Sequence, residues 1–214
     1  MTARVHFQEK LEEIRTDVVR MGNETLDMIR TAVEATLSGD GQLAELVVAQ
    51  DDSIDAQERA IFIKSVVAVM QEAPVANDLR LLVATMGTVT EIEKAADHAV
   101  KMCRRLAKLQ GAFPSELKVA LQEMGEQARR QFSAAIRLYT AYDRALANEI
   151  ISGDREVDSA YSRARHRVYQ LLQETPEAAA THMRTIQIFH SLEHVADQAV
   201  EIARRLRMLY DLSD

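Results

Sequence analysis

The chain carries the same pattern twice, about 100 residues apart, and this duplication constrains its fold more than any other feature. The stretch EKAADHAV at 93–100 returns as EHVADQAV at 193–200, and nine of the seventeen positions in 93–109 are identical at an offset of 100. A second block repeats apolar residues in seven-residue steps at an offset of 103: Val47, Ile54, Ile61 and Ala68 match Ile150, Val157, Ala164 and Leu171. Several aligned blocks in one order indicate a duplicated unit of about 100 residues.

Each unit is expected to be helical. The 214 residues include only three Pro and seven Gly, and 47% of them are hydrophobic, a composition that favours long helices. Breaks near 38–41, 74, 111–114, 142–143 and 176 leave six helical segments, at about 5–37, 41–72, 75–110, 114–141, 143–174 and 177–210. Long helices joined by short turns lie antiparallel in a bundle. The sequence therefore predicts an all-α fold of two tandem pseudo-symmetric three-helix bundles, in residues 1–112 and 113–214.

The third and sixth segments each show an apolar stripe with the spacing of a helix-bundle seam. In the third segment the stripe consists of Val89, Ile92, Ala96, Ala99, Cys103 and Leu106. In the sixth it consists of Phe189, Leu192, Ala196, Ala199, Ala203 and Leu206. The alanines in the middle of both stripes allow neighbouring helices to approach closely, so we expect these positions to be buried.

Pairs of acids four residues apart accompany the stripes, and each pair places two carboxylates on one helix face. The four pairs are Asp51 with Asp55, Glu93 with Asp97, Asp154 with Asp158, and Glu193 with Asp197. If the helices bring two pairs together, four carboxylates converge and need a cation, basic partners or raised pKa values. Oxygen-only ligand sets suit hard cations or iron. The alternative is that these acids only form ion pairs with Lys and Arg at the surface.

The remaining composition excludes several functions and predicts a location. A formal charge of −7, from 26 basic and 33 acidic residues, disfavours general nucleic-acid binding, and the single cysteine, Cys103, excludes an intrachain disulfide. The N-terminal sequence has no apolar segment typical of a signal peptide, and no apolar run approaches the ~18 residues that span a bilayer. We therefore expect a soluble, cytoplasmic protein.

Catalytic motifs are absent from the sequence. It contains no Gly-rich phosphate loop, no H-E-x-x-H and no G-x-S-x-G. Because it also lacks any Glu-x-x-His, ferritin-like oxygen chemistry is disfavoured. His190 and His194 lie four residues apart and could flank a metal, although histidines on a helix surface are more often only solvated.

With these features, the chain resembles the PhoU family of regulators of phosphate uptake, from about residue 7 to residue 210. The family motif E-R-x-G-D-H-A corresponds to residues 93–99 and 193–199, the motif D-x-x-x-D corresponds to 51–55 and 154–158, and the stretch PVANDLR at 74–80 adds to the resemblance. Lys94 and His194 replace the motif's Arg, Ala96 and Ala196 replace its Gly, and Gln198 replaces the second His. The acids themselves are intact.

This resemblance implies a fold, a cofactor and partners. It implies multinuclear metal binding by the acids of the four pairs, with iron or zinc as the expected metal and magnesium or calcium as alternatives. It also implies a non-enzymatic adaptor that acts on the phosphate ABC transporter and a phosphate-sensing histidine kinase, and that represses the phosphate-starvation response. Two other functions stay open, a metalloenzyme that uses its carboxylates and a helical scaffold without a ligand. A homodimer is expected, with Met21, Met28 and Met124 among the residues that could form its interface.

Overall fold

Seven α-helices make up nearly all of residues 2–211, the part of the chain that this computed structural model describes. The helices are α1 (Thr2–Ser38), α2 (Gly41–Ala49), α3 (Asp51–Glu72), α4 (Ala76–Leu106), α5 (Lys118–Thr140), α6 (Arg144–Glu174) and α7 (Ala179–Asp211). Short 3₁₀ turns, Ser115–Leu117 and Pro176–Ala178, precede α5 and α7. No strand occurs among these residues, so the predicted all-α class is confirmed.

The second predicted segment, 41–72, is not one continuous helix. Its start is capped by Asp40, whose carboxylate accepts hydrogen bonds from the backbone N–H groups of Gln42 and Leu43. Gln50 then interrupts the α-helical pattern, because its own N–H bonds to the carbonyl oxygen of Val47, three residues back, at 3.2 Å. The break makes Asp51 the first residue of α3, and an acid in a first turn is favoured by the helix dipole.

The third segment is shorter than predicted. It ends as α4 at Leu106 rather than at residue 110, and residues 107–109 continue only as turn hydrogen bonds between residues three or four apart. Gly111 follows with a φ of 105°, a backbone conformation that residues other than glycine rarely adopt. The turn that reverses the chain into the second repeat therefore begins after Leu106, a few residues before the predicted break at 111–114.

The predicted stripes form the core of the molecule. Eleven of the twelve stripe residues are at most 3% exposed, and only Leu106 at the end of α4 is half-buried. The eight residues of the seven-step pattern in α2, α3 and α6 are buried as well. Helices α3 and α4 pack together in the first repeat, and α6 and α7 do so in the second. Each repeat therefore places its two acid-bearing helices side by side.

The two repeats meet mainly where α4 lies along α7. From α4, Arg105 donates hydrogen bonds to the carbonyl oxygen of Gln187 at 2.6 Å and to the hydroxyl of Ser191. From α7, Arg205 donates to the carboxylate of Glu91 at 3.0 Å. Arg105 and Arg205 are equivalent at the offset of 100, as are Glu91 and Ser191. These reciprocal contacts relate the repeats by a pseudo-twofold axis.

Three methionines that were expected at a dimer interface lie in the core. Met21, Met28 and Met124 are at most 1% exposed, so the expectation that they form a dimer interface is wrong. Their unbranched side chains fill the core instead, as methionine commonly does. Within residues 2–211, no helix is long and apolar enough to cross a membrane.

Candidate metal centre

Buried residues fix the acid pairs at the rim of the bundle. Ile54 and Val157 lie in the core, and each is flanked on its helix by an aspartate three residues before it and another one residue after it. The acids on α4 and α7 likewise flank the buried alanines Ala96 and Ala196. Seven of the eight acids are half-buried, and Asp158 is exposed. The acids therefore face a groove that remains open to solvent.

Basic side chains neutralise the groove of the first repeat. The Arg104 guanidinium lies 3.1 Å from an Asp51 carboxylate oxygen, and the Lys101 ammonium lies 2.5 Å from an Asp97 oxygen. Arg59 approaches Asp55 at 4.0 Å. In the first repeat, no three potential ligand atoms come within 4.8 Å of one another among the residues that the structure describes. This is the surface ion pairing that the sequence left as the alternative to a metal site.

The acids of the first repeat nevertheless influence each other. Burial raises the pKa of Asp51, and the negative charges of Asp55 and Asp97 raise it further against the opposing effect of Arg104. Burial also raises the pKa of Glu93. Among the neighbouring charges that raise this pKa further, that of Glu58 has the largest effect. For both carboxylates burial is the larger cause, and the negative charges of neighbouring acids add to it.

The second repeat brings three carboxylates together. Asp154 and Asp158 of α6 and Asp197 of α7, here called the aspartate group, offer oxygens that all lie within 4.8 Å of one another. Arg204 approaches Asp154 only at 3.8 Å, and it pairs more closely with Glu201 at 2.6 Å. Burial raises the pKa of Asp154, and the charges of Asp158 and Asp197 raise it further. The aspartate group is therefore less neutralised than its counterpart in the first repeat.

An unpartnered oxygen supports this difference. The Oδ1 atom of Asp154 is buried and has no hydrogen-bond partner among the described residues. A buried polar atom without a partner costs about 1–3 kcal/mol, and a bound cation would remove this cost. The three carboxylates of the aspartate group match the all-oxygen donor set that hard cations or iron prefer. The residues present therefore fit a cation in the second repeat better than in the first.

Glu193 is not one of the three residues whose oxygens lie within 4.8 Å of one another in the aspartate group. Its carboxylate lies with His190 and His194, with 3.7 Å between its Oε2 and Nε2 of His190. His194 in turn contacts Asp197, with 2.9 Å between its Nδ1 and a carboxylate oxygen. Burial raises the pKa of Glu193, and the charge of Asp197 raises it further. The prediction that four acids form one set in the second repeat thus stays untested for Glu193.

Sequence reasoning missed the features that distinguish the two grooves. At the offset of 100, Lys101 of the first repeat is replaced by Glu201 in the second, so the ammonium that pairs with Asp97 is replaced by a carboxylate, and Asp197 contacts His194 instead. This signal was present in the alignment of the repeats. The two histidines of α7 were noted, but their contact with Glu193 depends on rotamers that the sequence does not show.

Known proteins resemble the chain over most of its length. A model of the PhoU domain matches it twice, over residues 18–106 and 121–206. The phosphate-specific transport system accessory protein PhoU homolog of Pseudomonas aeruginosa is 30% identical over 92% of this chain and 82% of its own length. The homolog of the same name from Clostridium acetobutylicum is 26% identical over 94% of this chain and 92% of its own length.

Solved structures agree with the sequence matches. The crystal structure of PhoU from Pseudomonas aeruginosa superimposes with a TM-score of 0.91 and 29% identity, covering 96% of this chain and 99% of the other. The phosphate transport system regulatory protein PhoU from Streptococcus pneumoniae superimposes with a TM-score of 0.87, covering 95% and 96% of the two chains. At 22% identity, this second match shows the shared fold alone.

Proposed function

The chain belongs to the PhoU family, and we propose that it is a cytoplasmic, non-enzymatic regulator of phosphate uptake. The observation that carries this proposal is the match of both repeats to one family model, together with relatives named as accessory proteins of a phosphate-specific transport system. The sequence contributes the absence of the catalytic motifs considered above. Regulation of transport is therefore a better explanation than a metalloenzyme or a scaffold without a ligand.

Its partners would be the phosphate ABC transporter and a phosphate-sensing histidine kinase. The names of the relatives support an association with the phosphate transport system. The kinase is proposed from the family resemblance alone. Since no helix among residues 2–211 could span a bilayer, contact with the membrane would be peripheral and made through these partners. The net charge of −7 agrees with partners other than nucleic acid.

We propose that cations bind at the acid pairs and that binding is stronger at the aspartate group. The buried, unpartnered oxygen of Asp154 and the spacing of the three carboxylates support this site. Bound iron or another hard cation would supply positive charge that links α6 to α7. The protein's contribution is to hold three carboxylates in a half-open groove, where water or phosphate can also reach the metal. In the first repeat, Asp51, Asp55, Glu93 and Asp97 would have to release Arg104 and Lys101 before binding.

Deletion of the gene, with a phosphatase reporter measured in phosphate-rich medium, tests the regulatory function. We expect the deletion to release reporter expression and the wild-type gene on a plasmid to restore repression. A variant carrying Asp154→Asn and Asp158→Asn should restore it poorly if metal binding serves regulation. Glu156→Gln, which removes an exposed acid from the same helix, is the matched control. If repression persists after deletion, with no second gene of this family present, the regulatory proposal fails.

A further inference from the structure

A second group of potential metal ligands lies on α7, next to the aspartate group. His190, Glu193 and His194, here called the histidine–glutamate group, offer ring nitrogens and a carboxylate oxygen that all lie within 4.8 Å of one another. The two histidines are four residues apart, so one helix face carries both rings. Their centroids are separated by 4.1 Å. The backbone of a single long helix thus sets the spacing of all three donors.

Neighbouring helices hold the two rings in place. His98 of α4 packs on His194, with 4.6 Å between ring centroids, and Tyr161 of α6 lies 5.7 Å from His190. His194 is further oriented by Asp197, whose carboxylate oxygen lies 2.9 Å from its Nδ1. Contact between an imidazole and a carboxylate of this kind is the usual support of a metal-binding histidine. These half-buried rings are therefore packed from both sides rather than freely solvated.

The carboxylate of the group has an unused oxygen. Oε2 of Glu193 is buried and has no hydrogen-bond partner among the described residues. Its nearest basic group is the His190 ring, at 3.7 Å, which is too long for a hydrogen bond. A buried carboxylate oxygen without a partner, beside two imidazoles, is the arrangement that a shared cation would satisfy.

The first repeat has no equivalent group. At the offset of 100, Thr90 replaces His190 and Lys94 replaces His194. The Thr90 hydroxyl donates to Glu58 at 3.0 Å, and the Lys94 ammonium pairs with Glu91 at 3.1 Å. Neither side chain could ligate a metal together with Glu93. The feature therefore belongs to the second repeat alone.

We propose that the histidine–glutamate group is a mixed nitrogen and oxygen site for a divalent transition metal of the zinc class. Two imidazoles and a carboxylate are a donor set that Zn²⁺ takes in proteins, with a fourth position left for water. The order H-x-x-E-H, which places His190 and His194 around Glu193, also carries the histidine ligands in one class of zinc enzymes. The histidine–glutamate group and the aspartate group share no residue, so we treat them as two sites. Glu193 is the carboxylate ligand of the histidine–glutamate group.

The test uses the full chain, stripped of metal and labelled with ¹⁵N in its six histidines, during a titration with Zn²⁺. The ring-nitrogen resonances of His190 and His194 should shift with the first equivalent of Zn²⁺, and those of the exposed His166 should not. His190→Gln and His194→Gln should each raise the Kd for Zn²⁺ at least about tenfold. Removing a residue that only hydrogen-bonds to a metal ligand already lowers metal affinity by about tenfold or more, and these two residues are the ligands themselves. His166→Gln, with circular dichroism to verify folding of every variant, is the control.

A further variant separates this site from the aspartate group. Asp158→Asn should keep the Zn²⁺-induced shifts of both histidine rings, because Asp158 is not a member of the histidine–glutamate group. If the shifts vanish in Asp158→Asn, the rings only respond to a metal held by the aspartate group, and the proposal of a separate site is wrong. Unshifted rings in the wild type, or a wild-type Kd in folded His190→Gln, would equally overturn the proposal.

Discussion

Asp97 and Asp197 occupy equivalent positions, but the residue four places after each differs in charge. Lys101 pairs with Asp97 at 2.5 Å, whereas Glu201 follows Asp197 and instead engages Arg204 at 2.6 Å. The replacement of Lys101 by Glu201 thus removes an ammonium from the second groove. Glu201 also pairs with Arg204, which lies farther from Asp154. At the scale of single residues, this is why the aspartate group is the stronger candidate for a cation.

The substitution Asp158→Asn should stabilise the metal-free protein while it weakens cation binding. It removes a charge that raises the pKa of Asp154, so mutual repulsion decreases. Because Asp158 is exposed, the gain in the free energy of unfolding should be at most about 1 kcal/mol. Urea denaturation in the presence of a chelator measures it, with Glu156→Gln as control. A clear loss of stability without metal would show that Asp158 has a structural partner instead.

Cys103 should be inert towards thiol reagents in the folded protein. It is 1% exposed, and burial raises its pKa to about 12 from the usual 9. At pH 8 a disulfide reagent should therefore find no reactive thiol until urea is added, when one appears. Because the unfolded chain loses this proton first, the free energy of unfolding should fall as pH rises from about 9 towards 12. Rapid native reaction at pH 8 would contradict this burial.

At the scale of helices, α4 and α7 connect the two repeats, and their contact is asymmetric in strength. Arg105 meets neutral oxygens of α7, whereas Arg205 meets Glu91, a carboxylate that is 3% exposed. Gly87 makes room for this pair, since a Cβ at that position would overlap the Arg205 guanidinium. The ion pair thus depends on Gly87 and Glu91, one turn apart on α4, and on Arg205 of α7.

Removing Arg205 should therefore destabilise the junction between the repeats. Arg205→Ala leaves Glu91 buried, with Lys94 as its one remaining ion-pair partner among residues 2–211, and breaking a buried pair costs about 3–5 kcal/mol. Because Lys94 remains, we expect about 2–3 kcal/mol in urea denaturation. The matched control, Arg30→Ala, breaks only exposed pairs on α1 and should cost less than about 1 kcal/mol. Equal costs for the two variants would mean that the Arg205 contact contributes no more than a surface pair.

At the scale of the whole molecule, the composition predicted an all-α fold and the duplication predicted its two repeats. The apolar periods placed the core stripes correctly because burial is what maintains such periods. The break at Gln50 was not predictable, since it arises from a local shift to hydrogen bonds between residues three apart, without Gly or Pro. Nor could the sequence show that the Glu193 carboxylate lies with His190 and His194, because helical spacing fixes the face of a residue but not its rotamer.

The expected homodimer must use a surface other than the buried methionines. The exposed face of α3 offers large apolar side chains, among them Ile63 at 61% and Met70 at 78% exposure. Burying them against a second copy would remove apolar surface from water. Light scattering at micromolar concentration should give twice the chain mass of 24.0 kDa, and Ile63→Asp with Met70→Glu should give the single mass. A wild-type particle of one chain mass would exclude the dimer.

Iron content tests the central claim, that the duplicated acids form a cation site, most directly. The wild-type chain, loaded anaerobically with Fe²⁺ and freed of excess metal, is compared with two variants by elemental analysis. One variant changes Asp154, Asp158 and Asp197 to Asn, and the other changes Asp51, Asp55 and Asp97. We predict bound iron in the wild type, most of it lost in the first variant and less in the second. A wild type without iron, or equal iron in all three proteins, would contradict the account.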